Sequence, residues 1–314
     1  MSVGASVGVA LSRDDDADPD ELLKQADLAL YDAKAAGRGT YSFFRDQMVE
    51  HAKGQRALEM DLRQALSRGQ LELHYQPNVD LATQRVVCLE ALLRWRHPVR
   101  GRLVMPDSFI PLAEETGLID PLGQWVLNEA FEQASRWPAS VAVAVNLSPV
   151  QFRSGSLVGV VAAALRDSGL APQRVELEIT ESVRLAENSA NLAVLHDLRA
   201  LGACICLDDF GVGYSSLSYL RSFPFKKIKI DRSFVREVCS SREAKAIVRA
   251  VTTLGNSLDM VITAEGVENA EQLQTLLELG CDQAQGYYLS TPRPLSEVEA
   301  MLPDRGLRLI AARR

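Results

Sequence analysis

Residues 175–181 read VELEITE, and strict alternation divides them: Val175, Leu177 and Ile179 fall on one face of an extended strand, Glu176, Glu178 and Thr180 on the other. The same division recurs on either side. In CICLDD (204–209), Ile205 and Leu207 oppose Cys204, Cys206 and Asp208; in KKIKID (226–231), Ile228 and Ile230 oppose Lys227, Lys229 and Asp231. In VITAE (261–265), Ile262 and Ala264 oppose Thr263 and Glu265, and in VAVAVN (141–146) three valines oppose Ala142, Ala144 and Asn146. Upstream, Cys88, Glu90, Leu92 and Arg94 alternate with Val87, Leu89 and Ala91. A bulky apolar face suits packing against helices, which leaves the polar face for the interior of a closed sheet.

The spacing of these runs predicts strands at 71–77, 86–93, 141–147, 175–181, 203–209, 226–231, 261–267 and 282–288. Helices are predicted near 107–117, 120–136, 155–168, 187–201, 242–256, 269–279 and 295–302. Such alternation points to a (β/α) barrel or a doubly wound sheet. The turn from Asp80 to Arg85 is too short for a crossover helix, so the first two strands pair antiparallel. The expected fold class is therefore α/β: a TIM-like (β/α)8 barrel with an antiparallel first strand, preceded by a short N-terminal α/β fragment.

That fragment is expected over 1–46. Residues 3–10 (SVGASVGV) read as a strand, followed by a helix with Leu22, Leu23, Ala26, Leu28, Ala29 and Tyr31 on one stripe, Asp20 as N-cap and Gly37 as its stop. About 45 residues cannot close a core alone, so the piece reads as the end of a domain whose beginning is missing. Residues 47–68 read as a polar connecting helix, with Leu58, Leu62 and Leu66 every four positions; 304–314 reads as a tail.

The 314 residues carry 34 Lys+Arg against 41 Asp+Glu, a net charge of −7, with 47% hydrophobic residues. A globular chain follows; a coat for polymeric nucleic acid does not, since that needs a positive surface. No apolar run approaches the length of a membrane span and no leader pattern opens the sequence, so a cytoplasmic segment without membrane contact is expected. The five cysteines (Cys88, Cys204, Cys206, Cys239, Cys281) never form CxxC and read as small buried residues in a reducing compartment. Four dispersed histidines disfavour a histidine metal centre.

Asn146, Glu178, Asp208, Lys229 and Glu265 each stand at the C-terminal end of a strand, and Glu90 joins them by the same count. Barrel enzymes place their chemistry at that end. One acidic residue there is commonly a cap or an ion-pair partner; six polar groups on matching faces are a site. Crowded carboxylates repel unless cations neutralise them, and oxygen ligands without His or Cys suit Mg²⁺ or Mn²⁺. The adjacent Asp208 and Asp209 could let one carboxylate bridge two ions, as in phosphodiester cleavage. Lys229 reads either as a counter-ion to the carboxylates or as the group that positions or deprotonates water. The glycines of DFGVGYSSL match no phosphate-loop pattern and read as permitting tight turns.

EALLRW at 90–95, NLS at 146–148, ELEITES at 176–182, DDFGVGYSSL at 208–217, KIDRSF at 229–234, AEGVE at 264–268 and QGYYL at 285–289 together resemble the EAL family of cyclic di-GMP phosphodiesterases over about 55–303. The resemblance implies cleavage of cyclic di-GMP to linear pGpG with two Mg²⁺ or Mn²⁺ ions. It implies metal ligation by Glu90, Asn146, Glu178 and Asp208, with Asp208, Asp209 and Glu265 around the second ion. Lys229 matches the lysine that holds or activates water, and Glu181 the glutamate that anchors the loop from Phe210 to Leu217. Gln76, Leu93, Arg94, Asp231, Glu268 and Gln285 match substrate-side positions. It also implies a homodimer through the barrel. The N-terminal piece resembles the C-terminal end of a GGDEF diguanylate cyclase domain, without the GG[DE]EF signature. Two other readings stand beside hydrolysis: a receptor that holds cyclic di-GMP uncut, and a barrel lyase or aldolase using Lys229 as a Schiff base.

Overall fold

The structure, a computed structural model, describes residues 4–12, 18–37, 39–98, 103–183, 189–211, 220 and 223–302. Of the expectations above, the loop beyond Gly211 and the tail 304–314 lie outside the described residues. The chain divides into two compact units, residues 1–65 and 66–314.

In the first unit, β1 (Val7–Val9) and β2 (Tyr41–Phe43) pair in parallel, joined by α1 (Pro19–Ala35) and followed by α2 (Asp46–Ala65). The helix cap is Asp18 rather than Asp20: its Oδ1 accepts from the Asp20 N–H at 3.0 Å. Pro19 explains the shift, because a proline fits the first helical turn, where its missing N–H is not needed. The stripe also differs. Leu22, Ala26, Ala29 and Ala33 recur at helical spacing and Ala29 and Ala33 are fully buried, whereas Leu23 (64% exposed) and Tyr31 (38%) turn away. Gly37, at φ +108°, ends α1 as expected. A Cβ on Gly8 would stand 2.0 Å from the Ala26 carbonyl oxygen, so β1 lies against α1 as only glycine permits.

The second unit contains strands β3 (Leu71–Asp80), β4 (Arg85–Arg96), β5 (Leu103–Val104), β6 (Ala142–Asn146), β7 (Val175–Thr180), β8 (Cys204–Phe210), β9 (Lys227–Ile230), β10 (Val261–Ala264), β11 (Gln283–Ala284) and β12 (Arg293–Pro294). Its helices are α3 (Ile110–Thr116), α4 (Ile119–Ser135), α5 (Leu157–Ser168), α6 (Ser189–Ala200), α7 (Arg232–Glu237), α8 (Arg242–Ser257), α9 (Ala270–Glu278) and α10 (Leu295–Val298). Strands β3, β4, β6, β7, β8, β9, β10 and β11 close into a barrel, parallel throughout except that β3 runs antiparallel to both β4 and β11. The hairpin expected from the short Asp80–Arg85 turn is the seam of that barrel.

Side-chain parity sets the layers. Val143, Val145, Val175, Leu177, Ile179, Ile205, Leu207, Ile228, Ile230 and Ile262 are all at most 2% exposed. Burying such a side chain contributes about 1.5–3 kcal/mol, so a one-residue slip of any strand would forfeit several of these terms together. α4 supplies the complementary surface: Leu122, Val126, Ala130 and Ala134 recur at helical spacing and are buried.

Two departures from the expected elements matter for the site. The runs 261–267 and 282–288 leave the sheet early, at Ala264 and Ala284; in the first, Gly266 (φ +68°) turns the chain after Glu265. The short helix α7 was not anticipated; Asp231, which the periodicity places at a strand end, caps it, its Oδ1 accepting from the Ser233 N–H at 2.9 Å.

Candidate active site

The C-terminal ends of the parallel strands carry the polar series to one mouth. At its centre is Lys229, 1% exposed. Its Nζ lies 2.6 Å from Glu265 Oε1 (β10 end), 2.9 Å from Glu178 Oε2 (β7), 3.3 Å from Asp208 Oδ1 (β8) and 3.5 Å from Glu90 Oε2 (β4). Four carboxylates from four strands thus share one ammonium. Glu90 is held from two further sides: Asn146 Nδ2 donates to its Oε1 at 2.7 Å and Gln285 Nε2 to its Oε2 at 2.6 Å. Gln285 Nε2 also donates to Gln76 Oε1 at 3.0 Å, and Gln76 Nε2 donates to the Ser290 carbonyl at 3.0 Å.

Asp208 and Asp209 break the alternation rule. The β8–β9 register shifts between Leu207 and Phe210, and Asp209 adopts φ +52°, a conformation that Asp tolerates better than most residues. The Asp209 N–H donates to Asp208 Oδ1 at 3.0 Å. Oxygen atoms of Asp208, Asp209 and Glu265 all lie within 4.8 Å of one another. Just beyond, the Gly211 N–H donates to Glu181 Oε1 at 3.1 Å. Gly211 has φ +104°, and a Cβ there would meet the Phe234 ring at 2.7 Å.

The electrostatics follow from five carboxylates facing one ammonium. Burial drives Lys229 toward its neutral form, but Asp208, Glu178, Glu265 and Glu90 overcome that and hold it charged well above the usual lysine range. Burial pushes Glu90 up, yet Lys229, Gln285 and Asn146 together hold it below the ordinary carboxylate range. Glu178 is raised well above it by burial, with Glu90, Asp208 and Glu265 adding repulsion against the pull of Lys229. Burial, Asp208 and Glu90 push Glu265 up to about 8, and burial, Asp208 and Asp231 push Asp209 up to about 6. Lys229 therefore neutralises only part of the acidic charge. The surplus, the oxygen-only donor set and the 4.8 Å spacing fit one or more hard divalent cations.

Of the remaining anticipated residues, Arg94 is buried and donates through Nη1 to the Leu93 carbonyl at 2.9 Å; burial holds it below its ordinary value. Trp95, the next residue, packs against His97 and Phe109. Asp231 is committed to capping α7. Glu268 is exposed, and its backbone N–H donates to Gln272 Oε1 at 2.7 Å.

One layer deeper, Lys227 Nζ bonds Glu176 at 2.6 and 2.8 Å, linking β9 to β7 across β8. Both residues lie on the polar faces in the sequence, so the signal was present although nothing assigned them a partner. Not all cysteines are fully buried: Cys204 and Cys239 are partly buried, and all five are free.

The sequence profile of the EAL domain matches residues 59–292. The chain is 49% identical over 299 residues to the uncharacterized protein y4lL of Sinorhizobium fredii, covering 95% of this chain and 36% of that one. It is 45% identical over 304 residues to the bifunctional diguanylate cyclase/cyclic di-GMP phosphodiesterase MucR of Pseudomonas aeruginosa, covering 96% and 44%. Among solved structures, the PaMucR phosphodiesterase in complex with c-di-GMP superposes with a TM-score of 0.74 at 46% identity, over 77% of this chain and 99% of that one. The chain spans about two-fifths of the length of the curated relatives it matches. Among the described residues, no helix is long and apolar enough to cross a membrane. The eight-stranded barrel with its reversed first strand, the acidic mouth and a profile match across most of the second unit agree, and the chain belongs to the EAL domain family.

Proposed function

We propose that this chain hydrolyses cyclic di-GMP to linear pGpG in bacterial second-messenger signalling. The observation that carries the reading is Lys229 set among Glu90, Glu178, Asp208 and Glu265 at the C-terminal mouth of the barrel. The names of MucR and of the PaMucR complex support the substrate. Two ions, Mg²⁺ or Mn²⁺, would be held by Glu90, Asn146, Glu178 and Asp208 on one side and by Asp208, Asp209 and Glu265 on the other. Bound there, they supply Lewis-acid charge for a phosphodiester oxygen and ease the loss of a proton from water.

Lys229, whose Nζ lies within 3.5 Å of Glu90, Glu178, Asp208 and Glu265, holds or activates the attacking water. Arg94, on the same face of β4 as Glu90, receives the phosphate; Gln76 and Gln285 line the site beside Glu90 through their shared hydrogen bond. Glu268 and the backbone of Leu93, whose carbonyl accepts from Arg94, complete the substrate side, while Asp231 serves there only through the α7 cap. Glu181 holds the chain after Asp209 through Gly211. A lyase using Lys229 as a Schiff base is disfavoured because, in the site without metal, four carboxylates hold the lysine well above its ordinary value, whereas that chemistry needs a neutral amine. The first unit is read as the end of a GGDEF domain, which the match to bifunctional MucR over 96% of this chain supports. A cytoplasmic homodimer accompanies this reading, and sedimentation tests the dimer.

The experiment is chromatographic separation of cyclic di-GMP from pGpG after incubation with purified protein and Mg²⁺ or Mn²⁺. Conversion that stops with chelator or with Glu90→Ala supports hydrolysis. Intact ligand at high enzyme and metal overturns it, and tight metal-independent binding without cleavage establishes the receptor instead.

A further inference from the structure

Below the mouth, the barrel interior does not revert to the branched apolar layers that usually fill such barrels. Glu176, Cys206 and Lys227 sit one step down their strands, and Cys204 two residues before Cys206 on the same face of β8. The two sulfur atoms are 4.0 Å apart. Cys204 is only partly buried and Cys206 is fully buried, with its Sγ 3.9 Å from Glu176 Oε2. A reachable thiol beside a shielded one is the arrangement in which a first thiol reacts and a second resolves the product. Cys88 and Cys281 are buried, and Cys239 lies 3.6 Å from Thr275 Oγ1.

We propose that Cys204 and Cys206 form a hydroperoxide-sensitive dithiol whose oxidation to a disulfide deforms β8 beneath Asp208. The Cys204 thiolate attacks one oxygen of the hydroperoxide; the O–O bond breaks, the other oxygen leaves as water or alcohol after taking a proton, and Cys204 becomes a sulfenic acid. Cys206 sulfur then attacks Cys204 sulfur, the S–S bond forms, and the hydroxyl departs as water with the Cys206 proton. Two electrons pass from the sulfurs to the peroxide oxygens. The hydrogen bond with Cys206 holds the Cys204 thiol below its ordinary value against the opposing push of burial, which favours Cys204 as the first to react.

The structural consequence comes from strand geometry. The sulfurs must close from 4.0 Å to about 2.05 Å. Residues two apart on one strand face hold their Cα and Cβ atoms about 6.6 Å apart, at the upper limit for the Cα atoms of a disulfide and beyond the roughly 3.5–4.5 Å its Cβ atoms need, so the bond forms only if β8 buckles. Such a strained bond is readily reduced, which suits a reversible modification. Strand β8 already departs from its register after Leu207, and Asp208 follows Cys206 by two residues. A displacement of about 1 Å at a reacting group can cost about a hundredfold in turnover. That last effect rests on the hydrolase reading; the chemistry at sulfur does not.

The test treats reduced full-length protein with hydrogen peroxide, blocks remaining thiols, and maps the tryptic peptide 200–221, which contains both cysteines. Wild type should yield this peptide lighter by two hydrogens. Cys206→Ser should stop at a sulfenic acid that dimedone traps on residue 204, and Cys204→Ser should leave Cys206 unmodified. Amide exchange across β8 should accelerate on oxidation and recover with dithiothreitol, a readout independent of turnover. Where the protein hydrolyses cyclic di-GMP, oxidation should lower turnover about a hundredfold, reversibly, and Cys204→Ser should be insensitive. Peroxide that leaves 200–221 unchanged, or reacts first at Cys88, Cys239 or Cys281, overturns the dithiol. A disulfide with unaltered β8 exchange overturns the coupling to Asp208.

Discussion

Asp208 and Asp209 are neighbours in a strand, yet their carboxylates meet at one mouth, within 4.8 Å of each other and of Glu265. Alternation would send them to opposite faces. The register shift after Leu207 and the φ of +52° at Asp209 undo that opposition, at a backbone cost on the order of 1–3 kcal/mol.

Substitutions at 209 should therefore separate strain from charge. Asp209→Asn keeps a residue that tolerates the left-handed region and should leave the melting temperature nearly unchanged while reducing turnover by at least about tenfold. Asp209→Val adds a β-branched side chain at positive φ and should lower the melting temperature by roughly 4–10 °C as well. Thermal melts and turnover on both variants check this; an Asn variant with full activity removes Asp209 from the site.

Lys229 is the ammonium that four carboxylates share, three of them buried, so its removal is costly twice over. Lys229→Met should destabilise the metal-free protein by about 3–5 kcal/mol, because breaking a buried ion pair strands the partner charge. Added Mg²⁺ or Mn²⁺ should restore much of the melting temperature but not turnover, which falls roughly 10²–10⁴-fold with the loss of a positioned donor. Chemical denaturation with and without metal measures the first effect, and product formation the second. Recovery of both by metal would show that Lys229 is a counter-ion alone.

The sequence made the barrel and most of this mouth legible for one reason: the strands that carry the site are apolar on their helix-facing side, so parity alone sorts their residues. Glu90, Glu178, Asp208, Lys229 and Glu265 followed from that rule, and the structure brings them together. The rule fails where the backbone leaves the ideal strand. It could not see the bulge at Asp209, the helix that claims Asp231 as its cap, or the pairing of Glu176 with Lys227 across β8, which depends on register between strands distant in sequence. The Asp20 cap failed for a local reason, since Pro19 moves the helix start back to Asp18.

Glu181 holds the chain beyond Asp209 by accepting the Gly211 N–H at its Oε1, 3.1 Å away. Glu181→Gln retains a carbonyl oxygen at that place, whereas Glu181→Ala leaves the N–H without it. The alanine variant should lose turnover by about tenfold or more with a stability change near 1 kcal/mol, and glutamine should restore part of the activity. Equal losses in both variants would mean that the charge of Glu181, rather than its hold on Gly211, is what the site uses.

Stability of the metal-free protein should fall as pH rises from about 4.5 to about 8. Glu265 ordinarily titrates at 4.5 but is pushed up to about 8 in the folded chain, and Asp209 moves from 3.8 to about 6. Between those limits the folded state binds more protons than the unfolded state, and stability then decreases with pH. The favourable contribution is complete below the unfolded values and is lost as pH passes through the raised folded ones. Lys229 adds no slope within this window, because its raised value lies above it in both states. A divalent cation replaces the protons as the neutralising charge, so Mg²⁺ or Mn²⁺ should raise the melting temperature little at pH 5 and progressively more toward pH 8. Melting curves of chelator-treated protein across that range, with and without metal, test the sign. A metal-free melting temperature that climbs from pH 5 to pH 8 would contradict the surplus of buried negative charge on which the metal site depends.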